Sequence, residues 1–310
     1  MHGFADHPFR IPPDLRVGPR ADVLPLAGEI NWGMETLNVA ALRDTYAGEG
    51  VTVGIVDTGC GNHPLVVDRL KKKSFVPGES ADDGHGHGAH VTGTVGASDP
   101  RIGVGTKLSL VHGKGLSNAG SGAGAWIAAA MIWCVEQGAE VVSMSLGSSG
   151  PDSTIEAACR QLSDAGIWLV CAAGNSGPGT PDVDFPGRFP TVISVAAIDS
   201  ALKPASFSSA GAKIDTSGPG VGIWSIRPNS GYAQMSGTSM ATPFVAGLLG
   251  CYRSALKKTG RPIPKVDDLR KLLFSRSTDT HTPGDDNRTG PGWVDAALLF
   301  NTTKPDPKFA

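Results

Sequence analysis

An α/β fold, with a mainly parallel sheet covered by helices on both faces, is what this 310-residue sequence predicts. Three observations carry that expectation. Short apolar runs alternate with longer helical stretches, and strands separated by helices become parallel neighbours in one sheet. The clearest run, Val51-Thr52-Val53-Gly54-Ile55-Val56-Asp57, is almost continuously apolar, as a strand covered on both faces must be. The 42 glycines fall singly at strand ends and turns without a repeat, which excludes collagen-like and low-complexity chains.

Taken in order, Met1 to Glu29 is rich in Pro, Arg and Asp and holds no apolar stretch of signal-peptide length, so it reads as an arm and not a domain. The strand Val51–Asp57 delivers a carboxylate at its C-terminal edge. A polar, glycine-rich loop from Asp82 to Gly86 then opens a small-residue helix at His87. A strand at Leu108–Val111, a helix over Ala123–Gln137 and a strand at Val141–Ser145 follow, then a helix over Ser153–Asp164 and strands at Ile167–Ala172 and Val192–Ala197. Gly237 to Pro243, leading into the apolar run Phe244 to Gly250, is a loop-to-helix junction. Gly237 allows backbone angles closed to other residues, and Pro243 presets its own φ for a first helical turn. Val266–Phe274 reads as a late surface helix and Asn301–Ala310 as a polar tail, leaving one domain over 30–300.

The junction presents Ser239 beside unpaired N–H groups and the positive end of a helix dipole, a setting that favours an oxyanion. Serine alone is a poor nucleophile and needs a base and a group that orients it. Asp57 and a histidine of the His85, His87, His90 cluster supply candidates. Each has an ordinary alternative: Asp57 a turn residue, Ser239 a helix cap, the histidines metal ligands. No Glu stands beside them in a zincin spacing.

With Val-Asp57-Thr-Gly, His87-Gly-Ala-His90 and Gly237-Thr-Ser239-Met-Ala-Thr-Pro243 together, the chain resembles the subtilisin-like serine proteases, the subtilase family. The chain order Asp, His, Ser is the one subtilisin itself exemplifies. A further match at Gly290-Pro-Gly-Trp-Val-Asp-Ala-Ala297 brings most of the sequence under the resemblance. It implies a three-layer subtilisin-like fold, a peptidase domain over 30–300 and a serine endopeptidase acting through an acyl-enzyme. His87 would be the base, Asp57 its orienting acid, Ser239 the nucleophile and Asn175 the side-chain donor to the oxyanion.

The same resemblance implies that Gly120, Ser121 and Gly122, with Ser145, Leu146 and Gly147, sandwich the residues upstream of the cut. Ala172, Ala173 and Gly174 join them on the substrate side. Gly124, where relatives often carry an aromatic, implies a wide outer pocket. Asp184 aligns with the floor of the primary pocket and would favour Lys or Arg before the cut, with Asp182 as a competing candidate. Leu65 stands where many relatives place a calcium-binding acid, and the Ser98–Arg101 loop is short, so no metal is required; a weak calcium site elsewhere stays open. Val56-Asp57-Thr58-Gly59-Cys60 and the short arm are similar to the intracellular subtilisins, whose extension lies across the active site, with Leu24-Pro25-Leu26 as the expected blocking segment.

A net charge of −2 gives no reason to expect nucleic acid or an anionic membrane as partner, leaving peptides and proteins as substrates. Five cysteines in apolar or helical settings, without Cys-x-x-Cys, fit buried thiols in a reducing compartment, and with no signal peptide seen the expected location is cytoplasmic. Two other readings share the scaffold: a peptide ligase or macrocyclase, and a non-catalytic peptide-binding pseudoprotease. No insertion resembling a water-excluding cap favours the first, and intact Asp57, His87, Asn175 and Ser239 argue against the second.

Overall fold

The computed structural model describes residues 8–11, 15–22, 31–42, 45–179 and 182–301. The arm contributes β1 (Phe9–Arg10) and β2 (Arg16–Ala21), followed by α1 (Trp32–Thr36), β3 (Thr52–Asp57), β4 (Leu70–Ser74) and α2 (His87–Gly96). Next come β5 (Ser109–Lys114), β6 (Ser121–Gly122), α3 (Gly124–Glu136), β7 (Ala139–Met144), α4 (Ser153–Asp164), β8 (Trp168–Ala172) and β9 (Ile193–Ile198). The chain closes with β10 (Thr216–Pro219), β11 (Ile223–Ile226), β12 (Tyr232–Ser236), α5 (Thr238–Thr259), α6 (Val266–Arg276), β13 (Ser277–Thr278), β14 (Trp293–Val294) and α7 (Ala296–Leu299).

Nine strands form one sheet in the order β13-β14-β10-β9-β8-β7-β3-β5-β4, parallel throughout except for the β13–β14 pair. The expected α/β layering is therefore present, and β3 shows its cause. Its alternate residues Val53 and Ile55 join a core with Val91 and Val95 of α2 and Phe244 and Leu248 of α5. Val56, facing the other way, joins a second core with Ile127 and Met131 of α3 and Ile155 of α4. Period-two alternation between two apolar faces is what makes the strand read as continuously hydrophobic. Gly54 lets α3 come close, since a Cβ there would lie 2.8 Å from that of Cys134.

The helix α5 is buried along every residue from Thr238 to Leu256, a central helix covered on all sides. By contrast α6 buries Leu269, Leu272 and Leu273 and leaves Phe274 56% exposed, the expected surface helix. Two features depart from the sequence expectation. Pro243 sits in the second turn of α5, not the first, and Gly237 has φ 161°, an extended backbone open to any residue. What Gly237 supplies is room: a Cβ there would stand 3.1 Å from Asn175 Nδ2. The strands β4, β10, β11 and β12 were not expected, and β2 adds to β12 in a second, three-stranded sheet.

Candidate active site

The parallel sheet brings the C-terminal edge of β3 and the first turn of α2 to the same end, where open α/β sheets bind ligands. His87 Nδ1 lies 2.7 Å from Asp57 Oδ1, both side chains fully buried. The same Oδ1 accepts from Thr58 N–H at 2.7 Å. Burial opposes the Asp57 charge, but His87, its hydrogen bond and His112 outweigh it and hold the carboxyl below its ordinary range. Asp83 fixes the start of α2, accepting from His85, Gly86 and Ala89 N–H groups and from the Thr58 hydroxyl. His90 is a core residue with Nε2 3.0 Å from Ile223 O, and burial depresses its pKa to about 3. His85 is exposed at the rim, its ring 6.3 Å from that of His87.

Ser239 lies in the first turn of α5 and its hydroxyl donates to Ser145 O at 3.2 Å. His87 Nε2 is buried and bare of partners among the described residues, so the structure couples Asp57 to His87 and leaves the His87–Ser239 bond unmade. Pro243 explains a second link at this point. Lacking an N–H, it cannot bond the carbonyl four residues back, which is that of Ser239. The Ser145 hydroxyl takes that place at 2.9 Å, tying the end of β7 to the serine from both sides.

Asn175 follows β8 and Gly174, whose φ of +102° is a left-handed conformation suited to glycine. Its Oδ1 accepts from Thr238 N–H at 2.8 Å and Thr238 Oγ1 at 2.9 Å. Its Nδ2 is buried, unpaired among the described residues and beside Gly237. A buried amide without a partner is costly and marks a place where a ligand oxygen fits.

The groove residues also meet, but the arm is between them. Phe9 and Arg10 pair antiparallel with Gly122 and Ser121, and Ile11 N–H donates to Gly120 O at 2.9 Å. Arg10 and Gly147 exchange two main-chain bonds, at 3.1 and 3.0 Å. Phe9 is 1% exposed, in the core that holds Leu116, Ile127 and Leu146. Farther on, Arg16–Ala21 runs antiparallel along β12 toward Tyr232. The segment found in the groove is thus Phe9–Ile11, whereas Leu24-Pro25-Leu26 lies outside the described residues. Beside Pro8 a cavity of about 510 Å³ is lined by Gly124, Trp126, Glu79 and Asp152, where the wide outer pocket was expected. Asp152 fills the space next to Gly124, whose Cβ would stand 2.2 Å from its carboxylate.

Asp184 and Asp182 separate clearly. Asp182 pairs with Arg188 at 3.4 Å and accepts from Val183 N–H. Asp184 lies against Gly174 and Gly147, its Oδ2 2.5 and 3.0 Å from where their Cβ atoms would be. Burial pushes its carboxyl above the ordinary range against the pull of Arg188 and Arg10. Ala172 and Ala173 are buried in the strand and turn that lead to Gly174.

At the expected calcium position the Leu65 side chain packs on the core, and its carbonyl accepts from Ser98 N–H at 2.9 Å. Among the described residues no three His, Cys, Asp or Glu side chains gather as a metal site, and no helix is long and apolar enough to cross a membrane. All five cysteines are free and buried. Sequence reasoning missed Ser145 as a partner of the serine carbonyl, the arm residues Phe9 to Ile11, and His112. For Ser145 a signal existed: a proline four residues after the serine demands a substitute donor.

Comparison with known proteins adds to this geometry. The sequence profile of the Subtilase family matches residues 48–292. M-protease of Shouchella clausii (strain KSM-K16) is 38% identical over 281 residues, 89% of this chain and 71% of that relative. Subtilisin Savinase of Lederbergia lenta is 38% identical over 275 residues, 87% of this chain and 98% of that relative. Alkaline elastase YaB of Bacillus sp. (strain YaB) is 38% identical over 273 residues, 86% and 69% of the two chains.

Proposed function

Since the chain belongs to the subtilase family and is a serine endopeptidase, we propose that Ser239 is its nucleophile, His87 its general base, Asp57 the acid that orients His87, and Asn175 a donor to the oxyanion. The observation that carries this reading is a pair of complementary vacancies: His87 Nε2 and Asn175 Nδ2 are both buried and unpaired among the described residues, on the two elements next to Ser239. The first lacks a proton donor and the second lacks an acceptor. A rotated Ser239 hydroxyl satisfies the first, and a substrate carbonyl turning into an oxyanion satisfies the second. Attack forms the Ser239 Oγ–carbon bond as His87 takes the proton; His87 returns it to the leaving amine as the peptide C–N bond breaks. Water then repeats the sequence on the acyl-enzyme. Asp57 holds the proton of His87 on Nδ1, keeping Nε2 bare for that work.

Asp184 supports a preference for Lys or Arg before the cut. Its competitor Asp182 is already paired with Arg188, while no hydrogen bond from the described residues reaches the Asp184 carboxylate. The arm supports a latent state. Phe9–Ile11 takes up main-chain groups of Gly120 and Gly147 and pairs with Ser121 and Gly122, so a substrate strand cannot use them while the arm is docked. The buried free thiols fit a reducing compartment.

A fluorophosphonate probe tests the nucleophile. The full-length chain and its Phe9→Ala variant are expected to label, and Ser239→Ala is not. Absence of label from both Ser239-containing forms overturns the assignment, and product masses from a defined peptide separate hydrolysis from ligation.

A further inference from the structure

His112 is a fully buried histidine on β5, outside the catalytic residues, and both of its ring nitrogens are engaged. Gly59 N–H donates to Nε2 at 3.1 Å. Nδ1 lies 2.9 Å from Thr92 Oγ1, and that hydroxyl donates its one proton to Gly88 O at 2.7 Å. The proton count then admits a single arrangement. An amide N–H needs a lone pair, so Nε2 is bare; the Thr92 oxygen has spent its proton, so Nδ1 carries an N–H and donates to it. The ring leaves no room for a side chain at Gly88: a Cβ there would stand 3.0 Å from His112 Cε1 and 2.3 Å from Gly59 O.

Those partners flank the catalytic pair. Gly59 is two residues beyond Asp57 at the end of β3; Gly88 is one residue beyond His87 in the first turn of α2, and Thr92 is one turn farther on. Resting on the triad reading above, we propose that His112 is a positioning residue, a neutral imidazole that clamps the loop after Asp57 to the helix bearing His87 and so sets the Asp57–His87 contact. The clamp works in one protonation state, because a proton on Nε2 would confront the Gly59 N–H. Burial holds that state in place, depressing the His112 pKa to about 4. Around the ring, Asp57 on β3 and Asp83 before α2 favour a second proton, while Lys114 on β5 and Lys72 on β4 oppose it.

The experiment compares the full-length wild type with His112→Ala, which removes both bonds, and His112→Gln, whose terminal amide reaches far enough to accept from Gly59 N–H. Nitrogen NMR of the wild type at pH 7 is expected to show His112 with a protonated Nδ1 and a bare Nε2. The downfield His87 Nδ1 proton is expected to shift or broaden in His112→Ala and to recover in His112→Gln. The rate of Ser239 phosphonylation should fall in His112→Ala by about ten- to a hundredfold, as a small misplacement of a catalytic group does, and should recover in the glutamine variant. A reversed or doubly protonated wild-type ring overturns the proposal. So does a folded His112→Ala that keeps the wild-type resonance and labelling rate. If His112→Ala fails to fold, a His112→Gln without the recovered resonance overturns it. Failure of the wild type and of Phe9→Ala to label at all points instead at the triad reading.

Discussion

Asn175 divides its amide between two tasks, and the division makes its role measurable. Oδ1 is committed to the N–H and hydroxyl of Thr238, the first residue of α5, while Nδ2 is left for a substrate oxygen. Asn175→Ala is expected to lower kcat by about 10²–10³-fold with KM little changed, a magnitude that comes from subtilisin itself. Asn175→Asp, which keeps the Thr238 acceptor and loses the amide donor, should lose kcat comparably; steady-state kinetics on a peptide substrate checks both, and a wild-type kcat in either would remove Asn175 from the oxyanion site. Asp184 makes a separate prediction. Its carboxyl is raised by burial, so its charge is present only above a higher pH than for an ordinary carboxylate and fades early as pH falls. Selectivity for Lys and Arg over neutral residues before the cut should therefore weaken on acidification, and Asp184→Asn should abolish it at every pH. Library profiling that finds no basic preference in the wild type would refute the pocket assignment.

At the scale of elements, α2 and β5 carry two histidines held neutral by burial, His90 with a pKa near 3 and His112 with one near 4. Both values lie below the ordinary 6.5, so the unfolded chain binds more protons than the folded one in between. The resulting stability is complete above about pH 6.5 and is lost as pH falls toward the folded values, with a slope approaching about 2.7 kcal/mol per pH unit for two groups. Urea unfolding midpoints are expected to be level near pH 7–8 and to drop steeply from pH 6 to 4; a level response across that range would contradict neutral burial. Much of this architecture was legible in the sequence. The helix α4 runs over Ser153–Asp164 as expected, because an amphipathic stretch begins after Asp152, whose side chain caps Thr154 and Ile155 N–H groups. Strand β3 declared itself by having apolar neighbours on both faces. The strand β4 did not, since Leu-Lys-Lys-Lys-Ser is an edge, and lysines guard an edge by breaking the hydrophobic pattern. Nor did β2, where five of the six residues, Pro19 among them, are exposed and form a strand only because β12 offers it an open side. His112 was hidden for a different reason: a lone histidine in an apolar strand reads as core, and its value lies in contacts from Gly59 and Thr92 that no local pattern encodes.

Across the whole molecule the described parts of the arm dock at two places, Phe9–Ile11 bonded to Gly120–Gly122 and Gly147, and Arg16–Ala21 paired with β12. The two stretches differ in what holds them. Arg16–Ala21 is largely exposed and attached by main-chain bonds, with Val17 52% open to solvent, whereas Phe9 is buried in the body's own core. Phe9, with Ile11 in the same core, anchors this stretch, and truncating a buried Phe to alanine costs about 3–5 kcal/mol in an ordinary core. On an arm that can lift away, that loss falls on docking and not on folding of the body, so the open fraction rises by about a hundredfold or more until opening is complete. The full-length Phe9→Ala variant should accordingly hydrolyse a short peptide with a higher kcat/KM than wild type while its urea unfolding midpoint changes little. Unchanged turnover with an intact fold would mean that the arm does not gate the groove, because a segment bonded to Gly120 and Gly147 and paired with Ser121 and Gly122 cannot share those groups with a substrate.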